Sequence, residues 1–78
     1  MKVKEFISGF KLYGYFYITP DHGDVEENVR ITDVKASSLW KGDASKTGEI
    51  SEEVLNRKIL RVYPVSRGRT AGIILETA

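Results

Sequence analysis

The sequence predicts an α+β domain with a small, mainly antiparallel sheet of four to five strands and one or two short helices. Three observations support this fold class: stretches of period-two alternation, a helix-start signal at Ser51, and a hairpin pattern near the C-terminus. The 78 residues leave room for one core only, so residues 1–78 are predicted to form a single domain. A small closed β-barrel is the alternative fold.

The composition is that of an ordinary globular protein. Apolar residues make up 41% and charged residues 29%, well away from the range of disordered chains. Cysteine is absent, which excludes disulfides and thiolate metal sites and is compatible with a reducing compartment. No segment has the roughly 18 to 20 apolar residues of a membrane span. We expect a soluble cytoplasmic protein with no membrane partner.

The net charge of +1 is unevenly distributed along the chain. Residues 1–20 carry three bases and one acid, residues 21–53 four bases and nine acids, and residues 54–78 five bases and one acid. The segments therefore sum to +2, −5 and +4. This pattern argues against a general polyanion binder, although folding could gather both basic ends onto one face.

The first half of the chain indicates one helix or edge strand followed by strands. In residues 2–9, apolar side chains stand at helical spacing and Gly9 could serve as a left-handed stop, so a short helix is favoured over an edge strand. Residues 10–19 alternate, with Phe10, Leu12, Gly14, Phe16 and Ile18 on one face and Lys11, Tyr13, Tyr15, Tyr17 and Thr19 on the other. This alternation predicts a strand that Pro20 ends.

The middle of the chain alternates less clearly. The stretch "ENVRITDV" predicts a second strand, and "SSLWKGD" predicts a short third strand around Leu39 and Trp40. The polar, glycine-containing "GDASKTGE" indicates a mobile loop.

A short helix is predicted from Glu52 to Asn56 or Arg57. Ser51 is a favourable N-cap, and carboxylates in the first turn suit the helix dipole. Ile50 and Leu55 have the spacing of a hydrophobic staple.

The C-terminal third predicts a hairpin with its turn at residues 66–69, where Gly68 can adopt a positive φ. Ile73–Leu75 are strong strand formers. Pro64 cannot donate a ladder hydrogen bond, so the first arm should lie at a sheet edge or be bulged there.

The tyrosine-rich strand suggests a binding surface. Aromatic rings on one strand face can stack on unpaired bases, and nearby basic side chains can hold phosphates. As sole tryptophan, Trp40 either anchors the core or contacts a partner. The candidate binding surface consists of Lys11, Tyr13, Tyr15, Tyr17, Trp40, Arg67 and Arg69.

The stretch "KLYGYFYITPDHG", preceded by "VKEF", resembles the aromatic strand and turn of cold-shock domains. This resemblance covers about the first 23 residues and implies a small barrel that binds single-stranded nucleic acid. Leu12 stands where that family has glycine, and "ENVRITDV" lacks the family's second aromatic cluster. Half of the stacking platform is therefore missing.

The segments "SSLWKGDA" and "ISEEVLNRKILRVYPVS" resemble the C-terminal part of small uncharacterised phage and prophage proteins of Firmicutes, which also carry a "KVKEFI"-like start. This likeness covers about two thirds of the chain. It implies an α+β arrangement and a mobile-element context, without a functional motif.

No pattern indicates catalysis or a cofactor. His22 lies in an acidic turn, and one histidine without a second imidazole or thiol is a poor transition-metal set. Each serine would need this same histidine as its base. Glu52 and Glu53 point in different directions on a helix, and "SRGRTAG" lacks the lysine of a P-loop. We therefore expect a non-enzymatic binding module that contacts protein or self-associates through a sheet edge, with single-stranded nucleic-acid binding as the alternative.

Overall fold

A computed structural model describes residues 1–21, 37–67 and 70–78. In chain order the elements are α1 (Val3–Gly9), β1 (Tyr15–Pro20), β2 (Trp40–Asp43), a 3-10 helix (Ala44–Glu49), α2 (Glu52–Leu55), β3 (Ile59–Arg67) and β4 (Thr70–Thr77). The predicted α+β class is confirmed, and the four described strands form an open sheet instead of a barrel. The strand predicted in "ENVRITDV", the acidic turn at His22 and the hairpin turn at residues 68–69 lie outside the described residues.

The strands lie in the order β2-β1-β4-β3. The two outer pairs, β2 with β1 and β3 with β4, are antiparallel, which confirms the mainly antiparallel prediction. The central pair is parallel, with Phe16 opposite Ile73 and Pro20 opposite Thr77. The first and last strands of the chain therefore lie side by side in the middle of the sheet.

The N-terminal segment is a helix, the favoured of the two sequence interpretations. It ends at Gly9, after which Phe10 is extended with φ −138°. The predicted left-handed stop at Gly9 is wrong, because among the described glycines only Gly14 has a positive φ, 93°.

Strand β1 begins at Tyr15, five residues later than the predicted start at Phe10. Gly14 explains the difference, since its positive φ breaks the extended chain and its carbonyl accepts the Ala44 N–H at 2.8 Å. Phe10 precedes the strand and is 59% exposed, so its predicted place on one strand face with the buried Phe16 and Ile18 is wrong. The end of the strand at Pro20 is confirmed.

The predicted third strand is β2, and it starts at Trp40. The loop prediction for the polar stretch that follows is wrong, because Ala44–Glu49 forms a 3-10 helix. The Asp43 carboxylate caps this helix by accepting the Ser45 N–H at 2.9 Å, and this hydrogen bond lowers the pKa of Asp43. A short polar side chain that favours the N-cap position, Asp43, therefore stabilises helical structure in this polar stretch.

The predicted N-cap at Ser51 is confirmed, with its hydroxyl accepting the Val54 N–H at 3.4 Å. Helix α2 is shorter than expected and ends at Leu55, with Asn56 as the C-cap. The staple is also confirmed, because Ile50 is buried in the core and Leu55 packs against the same cluster.

The C-terminal hairpin is confirmed by the antiparallel pairing of β3 with β4, which runs from Arg67 opposite Thr70 to Ile59 opposite Thr77. Strand β3 lies at one edge of the described sheet, as Pro64 predicted. The register shifts by one residue between Ile59 and Arg61, which places Leu60 in a bulge.

The two faces of the sheet bury different clusters. One face contains Ile18 and Leu75, packed against Val3 of α1 and Ile50. The opposite face contains a second cluster of Tyr17 and Ile74, with Tyr63 and Val65 against it. The two central strands therefore contribute buried side chains to both faces. None of the helices in the described ranges has the length and apolar character required to cross a bilayer.

Candidate binding surface

The row of tyrosines predicted as one surface is divided by the fold. Tyr13 is 79% exposed, Tyr15 is 39% exposed and Tyr17 is only 3% exposed. Tyr13 lies before Gly14 and outside the strand, whereas Tyr15 and Tyr17 point to the same face with their ring centroids 5.1 Å apart. Two of the three predicted rings are therefore accessible.

The position of Tyr17 in the sheet explains its burial. It stands opposite Ile74 of β4, which in turn stands opposite Tyr63 of β3, so the three side chains form a row across one face. Burial, together with the neighbouring Tyr15, raises the pKa of Tyr17. This ring is part of the hydrophobic interior and is not available for a partner.

Trp40 lies on the other face of the sheet. It stands opposite Ile18, is half-buried and packs against the cluster that α1 covers. A Cβ atom on Gly42 would come within 2.9 Å of the Trp40 ring, so the indole extends over its own strand. Trp40 is therefore a core anchor, and the fold separates it from the accessible tyrosines.

Of the three basic residues in the predicted surface, the structure describes the side chain of one. Lys11 is exposed beside Tyr13. The side chain of Arg67 and all of Arg69 lie outside the described residues. Lys41, which the sequence did not single out, is exposed opposite Tyr17 on the face that carries Tyr15. Only the pairing of β1 with β2 identifies it.

An aromatic surface remains after these assignments, defined here by Phe10, Tyr13 and Tyr15 with Lys11 and Lys41. Phe10 is the second residue that the sequence missed, since it was assigned to the strand face opposite the tyrosines. Its ring packs on Phe6 of α1 at a centroid distance of 5.6 Å and still leaves 59% of the residue exposed. The glycine between Tyr13 and Tyr15 in the strand pattern was the available signal that Phe10 precedes the strand.

A buried polar cluster lies at the far end of the Tyr17 face. Glu76 is 2% exposed, and its Oε2 accepts from Arg61 Nη1 at 2.6 Å while its Oε1 accepts from the Tyr63 hydroxyl at 2.8 Å. Arg61 also donates to Asp21 at 2.9 Å. Both oxygens of the buried carboxylate therefore have charged or polar partners.

The cluster changes the ionisation of its members. Burial and donation to Glu76 raise the pKa of Tyr63 above its usual value. The hydrogen bonds to Glu76 and then to Asp21 raise the pKa of Arg61 as well. Both Arg61 and Tyr63 donate to the same buried carboxylate, so the arrangement is that of a structural ion pair. Its sequence signal was weak: Glu76 is the single acid among residues 54–78.

A second hydrogen-bonded chain connects the segment after α2 with β4 and β1. Arg57 Nε donates to Thr77 Oγ1 at 2.8 Å, and that hydroxyl donates to the Thr19 carbonyl at 2.9 Å. Within the described ranges, no three histidine, aspartate or glutamate side chains are placed to share a metal ion.

Protein-family models, curated proteins and solved structures were all compared with the chain. None of them matches it. The likenesses to cold-shock domains and to small phage proteins remain predictions from the sequence.

Proposed function

We propose that the protein is a non-enzymatic binding module that acts through protein–protein contacts at the aromatic surface. The observation that supports this proposal is the exposure of two large rings three residues apart, 59% for Phe10 and 79% for Tyr13. Large exposed apolar side chains close together in the chain are candidate interaction sites, and tyrosine is enriched among energetic hot spots.

The burial of Tyr17 favours a protein partner over a nucleic acid. A base-stacking platform needs successive rings presented along one strand face. Here the third ring of the row is 3% exposed and packed with Ile74, so the platform contains two rings at most. The positive φ of Gly14 separates Tyr13 from the strand that carries Tyr15. Such offset rings fit separate pockets of a protein partner better than they fit successive bases of one strand.

The resemblance to small phage and prophage proteins of Firmicutes supports a host or phage macromolecule as the partner. On this proposal the protein is an accessory factor that acts by occupying a surface of that partner. It needs no cofactor, and its own stability depends on the two clusters of the sheet.

Site-specific photo-crosslinking tests the proposal. A benzoylphenylalanine at position 13, in a protein expressed in a Firmicutes host, should give a discrete protein adduct on irradiation. The same photo-reactive residue at Glu53, which is exposed on α2, is the matched control and should not give that adduct. Adding Phe10→Ser to the position-13 protein should abolish the adduct, because it removes the neighbouring anchor. Equal adducts from positions 13 and 53, or none from position 13, would reject the proposal.

A second candidate function is binding of single-stranded nucleic acid. It is favoured by one observation, the presence of exposed Lys11 and Lys41 beside the accessible rings of Tyr13 and Tyr15. Two phosphate contacts would make the logarithm of the affinity fall with the logarithm of salt concentration at a slope of about −1.4. Fluorescence anisotropy with a labelled oligothymidine measures this slope. Tyr15→Ala should weaken such binding without unfolding the protein, and the absence of binding at low salt would remove this candidate.

A further inference from the structure

The two basic ends of the chain meet at one position. Lys2 and Lys58 are opposite each other in an isolated antiparallel bridge. The flanking hydrogen bonds are Val3 N–H to the Arg57 carbonyl at 3.0 Å and Ile59 N–H to the Met1 carbonyl at 2.8 Å. This pattern makes the lysines a non-hydrogen-bonded pair, the type whose Cα atoms are only about 4.5 Å apart and whose side chains are closest.

Neither lysine side chain forms an ion pair in the described part of the chain, although the Glu5 carboxylate accepts the Lys2 backbone N–H at 2.9 Å. Both are exposed, and the described ion pairs involve Arg61 alone among the basic residues. Like charges directly opposite in a β pair are destabilising. A carboxylate from outside this region would relieve the repulsion by contacting both ammonium groups.

The lysine pair borders a stretch of β3 edge with which no other described strand pairs. Residues 1–3 pair with the start of β3 on the side away from β4, and Leu60 and Val62 follow with 40% and 47% exposure. The Lys58 carbonyl faces β4, where it accepts the Ala78 N–H at 2.9 Å. The bulge at Leu60 then shifts the alternation by one residue, so the N–H and carbonyl of Val62 point away from β4.

We propose that Lys2, Lys58, Leu60 and Val62, called the basic edge, bind an extended acidic segment of a partner protein. Its backbone would pair with Val62, its carboxylates would contact the lysine pair on one face, and its alternate apolar side chains would cover Val62 on the other face. Pro64 has no N–H to offer a further strand, so the contact ends there and is short. The basic edge is separate from the aromatic surface, and the two proposals stand or fall independently.

The test is a titration of ¹⁵N-labelled protein with the peptide Ac-Glu-Val-Glu-Val-Glu-NH₂, followed by amide chemical shifts. Saturable changes are expected at the amides of residues 58–62. The peptide in which lysine replaces glutamate should give none, because it repeats the charge of the site. The peptide in which serine replaces valine should bind more weakly, because it cannot cover Val62.

Two double variants with the same change in charge provide the decisive comparison. Lys2→Gln with Lys58→Gln should weaken the peptide about tenfold, the loss expected for two exposed ion pairs. Lys4→Gln with Lys46→Gln removes two exposed lysines that belong to neither proposed surface and should leave the affinity unchanged. All substituted side chains are exposed, and the dispersion of the same spectra shows that each variant is folded.

Three outcomes would overturn the proposal. The first is no change in the amides of residues 58–62 at saturating peptide. The second is equal weakening by both double variants, which would mean non-specific charge attraction. The third is stronger binding of oligothymidine than of the peptide at these amides, which would identify a nucleic-acid site instead.

Discussion

The Tyr63 hydroxyl donates to Oε1 of Glu76 at 2.8 Å, across the pair of strands β3 and β4. The other oxygen of this carboxylate receives Arg61 at 2.6 Å, and the residue is 2% exposed. A buried carboxylate is tolerated when both of its oxygens have partners, whereas removing one partner leaves an uncompensated group. The cluster is therefore sensitive to single substitutions.

Glu76→Gln should lower the free energy of unfolding by about 3 kcal/mol. This value is at the lower end of the range for breaking a buried ion pair, because Arg61 keeps Asp21 as a partner. The new amide would also direct a donor at Tyr63 or Arg61. Urea unfolding should show a lower midpoint at an unchanged m-value. The control is Glu53→Gln, an exposed change expected to stay within about 0.5 kcal/mol. Equal midpoints for the two variants would contradict a structural role for the cluster.

Stability should fall at alkaline pH, with Tyr63 as a main cause. Its pKa is raised in the folded protein, so the unfolded chain loses this proton first as the pH rises. The contribution of Tyr63 is complete below about pH 10 and decreases above it, by up to about 1.4 kcal/mol per pH unit. Tyr17, whose pKa is also raised, acts in the same direction.

The free energy of unfolding, measured at several pH values on both sides of about pH 10, checks this expectation. Tyr63→Phe should have a shallower decline than the original protein, because it lacks the Tyr63 hydroxyl and keeps Tyr17. Parallel curves for the two proteins would show that the Tyr63 proton is not linked to folding.

Alanine at two tyrosines should separate core from surface. Tyr17→Ala is expected to cost about 3 to 5 kcal/mol, because it empties a site that is 3% exposed between Ile74 and Tyr15. Tyr13→Ala should change stability by less than about 0.5 kcal/mol, because the residue is 79% exposed. Thermal unfolding compares them directly. Similar losses for both would place Tyr13 in the interior and remove the aromatic surface.

Gly72 permits the close approach of β4 to β1. A Cβ atom at this position would lie 2.6 Å from the Tyr15 carbonyl oxygen and 3.1 Å from the Tyr17 ring. Gly72→Ala should therefore cost about 1 to 3 kcal/mol. Gly9→Ala is the control with the opposite expectation. A Cβ atom at Gly9 meets nothing within 4 Å, so alanine there should increase the free energy of unfolding by at most about 1 kcal/mol. A stable Gly72→Ala protein would mean that the two strands can separate without cost.

Local features were predictable from the sequence because the interactions that produce them span few residues. The cap at Ser51 and the staple between Ile50 and Leu55 depend on contacts three to five positions apart, and both are present. Pro64 indicated an edge strand because a missing N–H is tolerated there. The late start of β1 was the exception, since the alternation extends through Gly14 and only the backbone shows the turn.

By itself, the sequence determined the class of fold, the short capped helix, the hairpin and the tyrosine-rich strand. The tertiary structure decided which of those tyrosines is exposed, and it brought Glu76 to Arg61 and Lys2 to Lys58. The physical reason is that contacts between distant segments depend on burial summed over the whole sheet. That sum has no signature in local spacing, so alternation could identify the faces of β1 but could not tell which side chains would be covered.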